Sequence, residues 1–336
     1  MTLEIRPLVP QRATEALLDE YHLMRAAAAA VDFAEDPPLT RDGAVGRLLV
    51  PLPEDGACTF WTGHLDGRLA GSVKLGLPDG ANSGIASVEV WVHPELRRRG
   101  VGSALLRTVL PAVRAAGRGT VIGLPVKPEA PGAPWAAGFG FEVTHSVAIQ
   151  TLAPAATPAQ LWQLPDPAGY RLVQWAGATP EDLVESYATA RRAIQDAPWG
   201  DSSFQQTPWT PELVRAADRE LAQAGTEQWA SIAVAQATGE VVGVHGLYCF
   251  SHRREYGYVH ETSVLAAHRG HGLGRAIKAA LMRRLAERRP DLQRIATSTD
   301  TTNTHMIRIN LALGYRTART MNWLEVPTAE LAARLE

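Results

Sequence analysis

The sequence predicts an α/β fold, more closely an α+β arrangement around a mixed sheet, formed twice in tandem. Two observations support this prediction: both halves read as the same order of helices and strands, and both contain the same glycine–arginine hexapeptide. Strands and helices around a strand–loop–helix centre are typical of this class. The hexapeptides start 172 residues apart (269 − 97), and they are Arg97-Arg98-Arg99-Gly100-Val101-Gly102 and Arg269-Gly270-His271-Gly272-Leu273-Gly274.

Other residues keep the spacing of the hexapeptides. Near the end of each half a glycine–aromatic pair recurs with the spacing changed only to 174 (314 − 140). A register held over so much of the chain indicates an internal duplication, in which each half is one folding unit. The matching residues are Gly67 and Gly239, Gly71 and Gly243, Glu89 and Glu261, and the pairs Gly140-Phe141 and Gly314-Tyr315.

The two halves are separated by a segment rich in proline, alanine and glycine. It has no apolar periodicity, which is typical of a connector that packs on the surface. The 336 residues leave room for two domains, each with its own core. We therefore expect an N-terminal domain over 1–152, a linker over 153–168 and a C-terminal domain over 169–336.

Each half begins with a helix and continues with a hairpin. The helices are predicted over 14–30 and 179–194, the second because Thr179-Pro180-Glu181-Asp182 resembles a capped start. The hairpins are predicted from apolar runs on both sides of the turns Asp66-Gly67 and Thr238-Gly239.

A further strand, at 87–92 and again at 258–264, leads into each hexapeptide, and a helix leaves it. Both helices carry an apolar residue at every fourth position, which predicts one buried face. Pro111 is expected to kink the first of them. Each half then ends with a strand, a short helix and a last strand. The apolar positions are Val101, Leu105, Val109 and Val113 in the first helix, and Leu273, Ile277, Leu281 and Leu285 in the second.

The composition is ordinary for a globular protein, with 46% hydrophobic residues, 20% charged residues and a net charge of −2. This balance gives no electrostatic case for binding nucleic acid or an anionic membrane. Cys58 and Cys249 do not match in the duplication, so neither a disulfide framework nor a thiolate metal site is predicted. No apolar run approaches the ~20 residues of a membrane span, and no signal peptide is recognisable, so we expect a cytoplasmic protein without a metal.

The hexapeptides have the chemistry of a phosphate site. The first amides of a helix lack partners within it, and the helix dipole favours negative charge there. Glycines let the backbone approach a ligand closely. The spacing differs from G-x-G-x-x-G, because Leu105 and Arg275 occupy the third-glycine positions, and no G-K-[ST] follows as in a P-loop. Dinucleotide and nucleoside triphosphate sites are therefore poorly supported.

The chain resembles the GNAT superfamily of acetyltransferases, whose signature [QR]-x-x-G-x-[GA] binds the pyrophosphate of acetyl-CoA. The resemblance covers nearly the whole chain, once per half, and includes the strand and turn before each hexapeptide and the glycine–aromatic pair after it. It implies that 97–102 and 269–274 bind acetyl-CoA. It also implies that a backbone amide near Val92 or Val264, where the central strand bulges, polarises the acetyl carbonyl, and that Asn303 contacts the cofactor.

The resemblance further implies a base on the central strand, because a substrate ammonium must lose a proton before it attacks. Glu261 and Glu89 share this place in the duplication. Each is equally well explained as a strand-face glutamate paired with an arginine. His260 is an alternative base.

The departing CoA thiolate needs a general acid. In the family this acid is often a tyrosine four residues before the glycine that corresponds to Gly314. Here that place is Asn310, a poor proton donor, so water, Tyr258 or His305 are alternatives. The first half has Ala136 there, within a segment of four prolines where helix formation is costly. We therefore expect the second half to be catalytic and the first to be a degenerate partner that still holds CoA.

The resemblance places the acceptor site at Asp196, Trp199 and Asp201, where an aromatic wall and carboxylates would suit a cationic amine. An ordinary loop, with tryptophans packed on the core and aspartates capping turns, explains these residues slightly better. The resemblance implies transfer of an acetyl group from acetyl-CoA to an amine of a small molecule by direct attack in a ternary complex. One alternative is acetylation of a cysteinyl-sugar amine, as in mycothiol synthase, a two-domain GNAT relative. Another is a CoA-binding regulatory or structural module without activity. A monomer or a homodimer is expected.

Overall fold

The computed structural model describes residues 2–336 and contains the predicted strands and helices in duplicate. The tandem mixed α/β fold is thereby confirmed. In the first half, the order is β1 (Leu3–Leu8), α1 (Glu15–Asp32), α2 (Arg41–Leu49), β2 (Ala57–Leu65), β3 (Arg68–Leu77), β4 (Ile85–Val92), α3 (Val101–Ala115), β5 (Thr120–Val126), α4 (Gly132–Gly138) and β6 (Glu142–Leu152).

The second half repeats this order after two short 3-10 turns. Its elements are β7 (Tyr170–Ala176), α5 (Val184–Arg191), α6 (Pro211–Gln223), β8 (Thr226–Ala235), β9 (Val241–Phe250), β10 (Tyr256–Val264), α7 (Leu273–Arg288), β11 (Arg294–Asp300), α8 (Thr304–Ala312), β12 (Arg316–Pro327) and α9 (Thr328–Leu335).

The chain forms two compact units whose limits differ from the predicted division at 153–168. Unit 1 consists of everything up to Ser146, together with Gly200–Gln205 and Met321–Glu336. Unit 2 consists of Val147–Trp199 and Gln206–Thr320. The difference arises at the last strands, because β6 pairs with β11 over Val147–Leu152, whereas β12 pairs with β5 over Asn322–Pro327.

Unit 1 has the strand order β1-β2-β3-β4-β5-β12, in which β4 and β5 are parallel and every other pair of neighbours is antiparallel. Its core lies between the sheet and α3, and the end of the chain contributes Leu324, Val326 and Leu331 to it. The predicted apolar face of α3 is buried, and the helix continues through Pro111.

Unit 2 has the strand order β7-β8-β9-β10-β11-β6, with β10 and β11 parallel. The predicted apolar face of α7 is buried against it. The predicted surface linker contributes to this core, since Trp162 is buried and its indole N–H donates to the Leu313 carbonyl at 2.9 Å. The prediction that this whole segment packs on the surface is therefore wrong at Trp162.

Two further helix predictions differ from the structure. The helix expected from Thr179 begins at Val184, because the Thr179 N–H is bonded to Asp218 at 2.8 Å and its side chain caps no helix. The proline-rich segment of the first half does form the helix α4. Pro131 precedes this helix and Pro134 lies in its first turn, where a backbone N–H has no partner within the helix in any case.

None of the helices formed by residues 2–336 is both long enough and apolar enough to cross a membrane.

Candidate functional site

Both hexapeptides lie at the start of a helix, the context in which a phosphate site was predicted. Gly100 precedes α3 with φ 83°, and Gly272 precedes α7 with φ 74°, so each chain turn uses the left-handed conformation that glycine adopts without strain. α3 has 15 residues and α7 has 16, so each presents unpaired amides and the positive end of its dipole.

The loops differ at one strained position. Arg98 has φ 63°, whereas Gly270, its counterpart 172 residues later, has φ 83°. An arginine held in this region costs about 1 kcal/mol or more, which glycine avoids. The first loop therefore keeps the backbone shape of the second even with an unfavourable residue.

The first arginine of each hexapeptide anchors its loop. The Nε of Arg97 donates to the Val92 carbonyl at 3.3 Å, and its Nη atoms bind both oxygens of Asp32 at 2.9 and 2.6 Å. In the second half, Arg269 donates to the Val264 carbonyl at 3.0 Å and pairs with Asp196. Both arginines therefore hold their loops against the end of the preceding strand.

A cavity of about 580 Å³ opens in unit 1 beside its hexapeptide. The ladder between β4 and β5 ends at Val88 and Gly123, beyond which no described residues of the two strands pair with each other. The opening is mainly apolar, which suits the pantetheine arm of CoA. Among its lining residues are Val90, Val92, Leu106, Trp135 and Phe141, with Arg97, Arg98 and Gly100–Gly102 at the hexapeptide.

In unit 2 the corresponding strands part at the same place, and the central strand also bulges. The ladder between β10 and β11 ends at Val259 and Thr297. Between β9 and β10, Leu247 pairs with Val259 and Gly246 pairs with Glu261, so His260 is an extra residue. This is one residue more than unit 1 has at the equivalent point.

The bulge does not lie at either position predicted for it. In unit 1, Leu75 pairs with Val88 and Lys74 with Glu89, without a shift. The regular pairing of β4 includes Val92, and the pairing of β10 is regular again from Glu261 to Val264. The bulge of β10 therefore lies four residues before Val264, because a one-residue insertion leaves the glycine register downstream of it unchanged, and the role of the amides near Val92 and Val264 stays a prediction.

The extra residue places His260 and Glu261 close together. The His260 ring stacks on Tyr248 at 4.0 Å between centroids, and its Nδ1 lies 3.8 Å from Glu261 Oε1. The ring also lies over Gly246, where a Cβ would come within 2.1 Å of Nε2. Burial, together with Arg191, lowers the pKa of His260 well below its ordinary value, so the imidazole is neutral at pH 7.

Glu261 forms a buried ion pair with an arginine of α5. Arg191 Nε lies 2.7 Å from Glu261 Oε1, and both side chains are 4% exposed. The guanidinium stacks over Trp209, with 3.3 Å from its carbon to the ring centroid, and lies 5.6 Å from the Tyr187 ring. Burial raises the pKa of Glu261 against the opposing effect of Arg191.

Unit 1 contains an equivalent buried ion pair, but its carboxylate, Glu89, faces two cations instead of one. Glu89 lies 3.3 Å from Arg25 and 3.5 Å from Lys74, and Trp91 donates a hydrogen bond to it. Burial opposes its ionisation, but Arg25 and Lys74 outweigh burial and lower the pKa of Glu89 to about 2. Glu89 is thus a poor proton acceptor, whereas Glu261 is a better one.

The arginines of these pairs were not predicted, although the sequence carries a signal for them. Tyr21 and Arg25 on α1 recur as Tyr187 and Arg191 on α5, both 166 positions later (187 − 21). Because tyrosine and arginine four apart lie on one helix face, the repeated spacing indicates the same contact in both halves.

The residues that were predicted to protonate the thiolate or to contact the cofactor already have contacts within the protein. Asn310 is fully buried, and its amide donates to Gln150 Oε1 at 2.9 Å and to Thr299 Oγ1 at 3.4 Å. Asn303 caps α8 by accepting from the Met306 N–H at 3.1 Å. Tyr258 lies on β10 opposite Tyr248, partly buried.

The three predicted acceptor residues are divided between the two units. Asp196 ends a 3-10 turn of unit 2 and pairs with Arg269 beside the hexapeptide. Trp199 also belongs to unit 2, whereas Asp201 belongs to the segment Gly200–Gln205 of unit 1, where its N–H donates to the Thr144 carbonyl at 3.0 Å.

Comparisons with known proteins identify relatives over most of the chain. Residues 25–139 and 192–315 each match the model of the acetyltransferase (GNAT) family. Proteins named mycothiol acetyltransferase are similar: that of Thermomonospora curvata is 29% identical over 80% of this chain and 84% of its own length. That of Salinispora arenicola is 30% identical over 74% of this chain and 75% of its own length.

Solved structures share the fold over nearly the whole chain. A tandem GNAT protein from the clavulanic acid biosynthesis pathway, solved without AcCoA, is 26% identical and superposes with a TM-score of 0.79, covering 97% of this chain and 99% of that one. A GCN5-related N-acetyltransferase from Sphaerobacter thermophilus has the same fold at 18% identity, with a TM-score of 0.69 over 97% of this chain and 96% of that one.

Proposed function

The chain belongs to the GNAT family of acetyltransferases, as an N-acetyltransferase with two tandem domains, and we propose that its second half transfers the acetyl group of acetyl-CoA to a primary amine. Acetyl-CoA is the donor that this family uses, and the acceptor is a small molecule. The proposal assigns the pyrophosphate of the reacting cofactor to Arg269-Gly270-His271-Gly272-Leu273-Gly274.

The observation that carries this assignment is the bulge at His260. It brings a neutral imidazole within 3.8 Å of a carboxylate whose pKa burial raises, on the strand that leads into the second hexapeptide. In the first half the strand pairing is regular at this point, and Glu89 is held ionised by Arg25 and Lys74. Proton acceptance by Glu261 is thus supported in the second half, because its pKa is raised whereas that of His260 is lowered.

The reaction follows from these groups. The Glu261–His260 pair takes a proton from the substrate ammonium, and the free amine attacks the acetyl carbon. Arg191 holds Glu261 in place and limits its basicity. Beyond Val259, no described residue of β11 pairs with β10, so the β10 amides on that side are available to bind the acetyl oxygen in the tetrahedral intermediate.

For the acceptor, a cysteinyl-sugar amine is the more specific candidate. It is supported by the mycothiol acetyltransferases of Thermomonospora curvata and Salinispora arenicola, which align with 80% and 74% of this chain. No single side chain among the described residues of the second half selects this acceptor over another small amine.

The first half is proposed to bind acetyl-CoA without turning it over. The 580 Å³ cavity beside Arg97-Arg98-Arg99-Gly100-Val101-Gly102 supports binding, and the ionised Glu89 argues against catalysis. The cavity and the proton-accepting pair therefore lie in different units. We infer turnover from the pair, because an apolar opening binds a cofactor without supplying a base.

Paired loop variants test this division. Gly272→Asp adds a carboxylate at the phosphate site and should abolish thiol release from acetyl-CoA across a panel of amines, including a cysteinyl sugar. Gly100→Asp should remove one of two binding events in calorimetry and leave turnover. The opposite pattern would transfer catalysis to the first half, and two binding events without thiol release in the unmodified protein would favour the non-catalytic module.

A further inference from the structure

A lysine is buried in the interior of unit 2. Lys278 of α7 is 1% exposed, and its Nζ lies 3.5 Å from Thr262 Oγ1 and 5.5 Å from the centroid of the Tyr315 ring. Among residues 2–336 no carboxylate lies within ion-pair distance of it. Isolated charges are costly to bury, so this arrangement requires an explanation.

The duplication indicates what Lys278 faces. Its counterpart 172 residues earlier is Leu106, and the counterpart of Thr262 is Val90. Tyr315 corresponds to Phe141 through the glycine–aromatic pairs.

All three counterparts line the 580 Å³ cavity of unit 1. The second half therefore has a buried polar group, Lys278 with Thr262 and Tyr315, at positions that form the apolar wall of the cofactor cavity in the first half.

The proposed reaction needs an acid for the departing sulfur near Lys278. When the C–S bond of the thioester breaks, the sulfur leaves with the electron pair and must be protonated. Asn310, at the family's acid position, is bonded to Gln150 and Thr299 and cannot donate a proton in any case. A cation beside the parted strands would stabilise the thiolate directly.

We propose that Lys278 contacts the sulfur of CoA in the second half and protonates the departing thiolate, an inference that rests on the proposed function. The amine nitrogen forms a bond to the acetyl carbon, the C–S bond breaks, and the sulfur takes a proton from Nζ. The amine proton passes to the Glu261–His260 pair, which releases each proton that it accepts to solvent, and Nζ regains a proton from solvent. The products are the amide and CoA thiol.

The surroundings of Lys278 suit a proton donor. Burial lowers the pKa of Lys278 to about 7, so Nζ gives up a proton more readily than an ordinary lysine, and a thiolate beside Nζ would favour the ammonium and be stabilised by it in turn. The titratable groups that face it are His245 of β9 and Tyr315. Burial, and then Lys278, lowers the pKa of His245, and burial raises that of Tyr315, so neither adds a charge at neutral pH.

The first experiment measures the ionisation of the CoA sulfur. In the Gly100→Asp protein, in which the first loop is expected not to bind CoA, the ultraviolet absorbance of the bound CoA thiolate is followed against pH with and without Lys278→Met. We expect the thiolate to appear about one pH unit or more higher in the Lys278→Met protein, because a nearby cation favours the anion. Equal midpoints would overturn the proposal.

The second experiment measures turnover. Lys278→Met should lower kcat roughly 10²-fold or more while the acetyl-CoA Kd changes little, as expected for a lost acid. Leu281→Met, a volume-conserving change on the same buried helix, is the control and should keep kcat. An equal loss in both variants, or an acetyl group on Lys278 in mass spectrometry, would contradict proton donation.

The two measurements separate the inference from the proposed function. Should the unmodified protein acetylate no amine, the function fails, yet the thiolate titration still reports whether Lys278 reaches the sulfur. Should turnover survive in Lys278→Met with an unchanged titration, the function stands and Lys278 has no part in it.

Discussion

Glu261 and Arg191 form a buried ion pair, so a substitution at either residue affects stability as well as activity. Removing one partner of a buried ion pair leaves the other charge uncompensated. We expect Glu261→Gln to lower the free energy of unfolding by about 3–5 kcal/mol in urea titrations. The double variant Arg191→Met, Glu261→Gln should recover most of this loss.

If the double variant is no more stable than the single one, Arg191 is held by Trp209 and Tyr187 rather than by Glu261. A loss of turnover in Glu261→Gln is informative about proton transfer only without denaturant and at temperatures where the variant is folded. His260→Asn provides a test of the same step that leaves the ion pair intact.

Lys278 gives a second prediction, on the pH dependence of stability. Its pKa of about 7 in the folded protein lies below its ordinary 10.5, so the unfolded chain binds more protons between these values and stability rises with pH. Lys278→Met should be more stable than the unmodified protein below pH 7. The difference should shrink by about 1.4 kcal/mol per pH unit between pH 7 and 10.5.

Thermal or urea unfolding across this range measures the difference. Conditions must avoid the acid range where the carboxylates titrate. A gap between the two proteins that does not change with pH would mean that the folded protein keeps Lys278 charged, contrary to its burial.

At the scale of the elements, β10 differs from its counterpart β4 by one extra residue, His260. The His260 ring occupies the space that a Cβ at Gly246 would need, 2.1 Å from Nε2. We expect Gly246→Ala to lower the free energy of unfolding by about 1–3 kcal/mol, the usual effect of overpacking. In a His260→Ala protein the same change should be tolerated, and differential scanning calorimetry of the four proteins measures the coupling.

Additive effects of the two changes would show that the ring leaves Gly246 when that position is enlarged. The backbone bulge would then have to be held by Tyr248 or by the ladder itself, since His260 stacks on Tyr248 in the structure.

Some of these elements could be predicted from sequence and others could not. The fourfold apolar spacing of α3 and α7 and the glycines before them have local causes, so those helices and their starts were predictable. The position of the bulge at His260 was not, because an insertion of one residue shifts only the part of β10 before it. Lys278 lies beside the apolar face of α7 and, in the sequence alone, resembles an ordinary surface lysine of a helix.

At the scale of the whole molecule, the units do not follow the order of the chain. Unit 1 depends on Met321–Glu336, which supplies β12 next to β5 and buries Leu324, Val326, Leu331 and Leu335 in its core. The proline-rich segment at 153–168 suggested two separable domains, because a composition change is visible in the sequence. The exchange of last strands depends on pairing between distant residues and leaves no such local sign.

This dependence predicts the outcome of truncation. A protein ending at Thr320 should lose the folded core of unit 1, because it lacks the buried apolar side chains of residues 321–336 and the partner strand of β5. A fragment of residues 1–152 should be unfolded for the same reason. Fusing 321–336 to that fragment through a flexible linker should restore protected amides in β2 and β3, as measured by hydrogen exchange.

As a control, a fragment ending at Thr320 should keep protected amides in β8 and β9, since unit 2 retains all its strands. Equal protection of unit 1 with and without 321–336 would show that β5 does not require β12.

The same strand exchange has a consequence for synthesis on the ribosome. Leu335 belongs to the core of unit 1. The residues up to Ser146 therefore cannot complete this core until nearly two hundred later residues have been translated and have left the exit tunnel. During that interval β5 has an open edge, which is the kind of surface that chaperones bind and that pairs wrongly with other nascent chains. Nascent chains stalled before β12, or stalled after β12 through an added C-terminal extension that carries this strand out of the tunnel, would differ sharply in protease resistance at the N-terminal half.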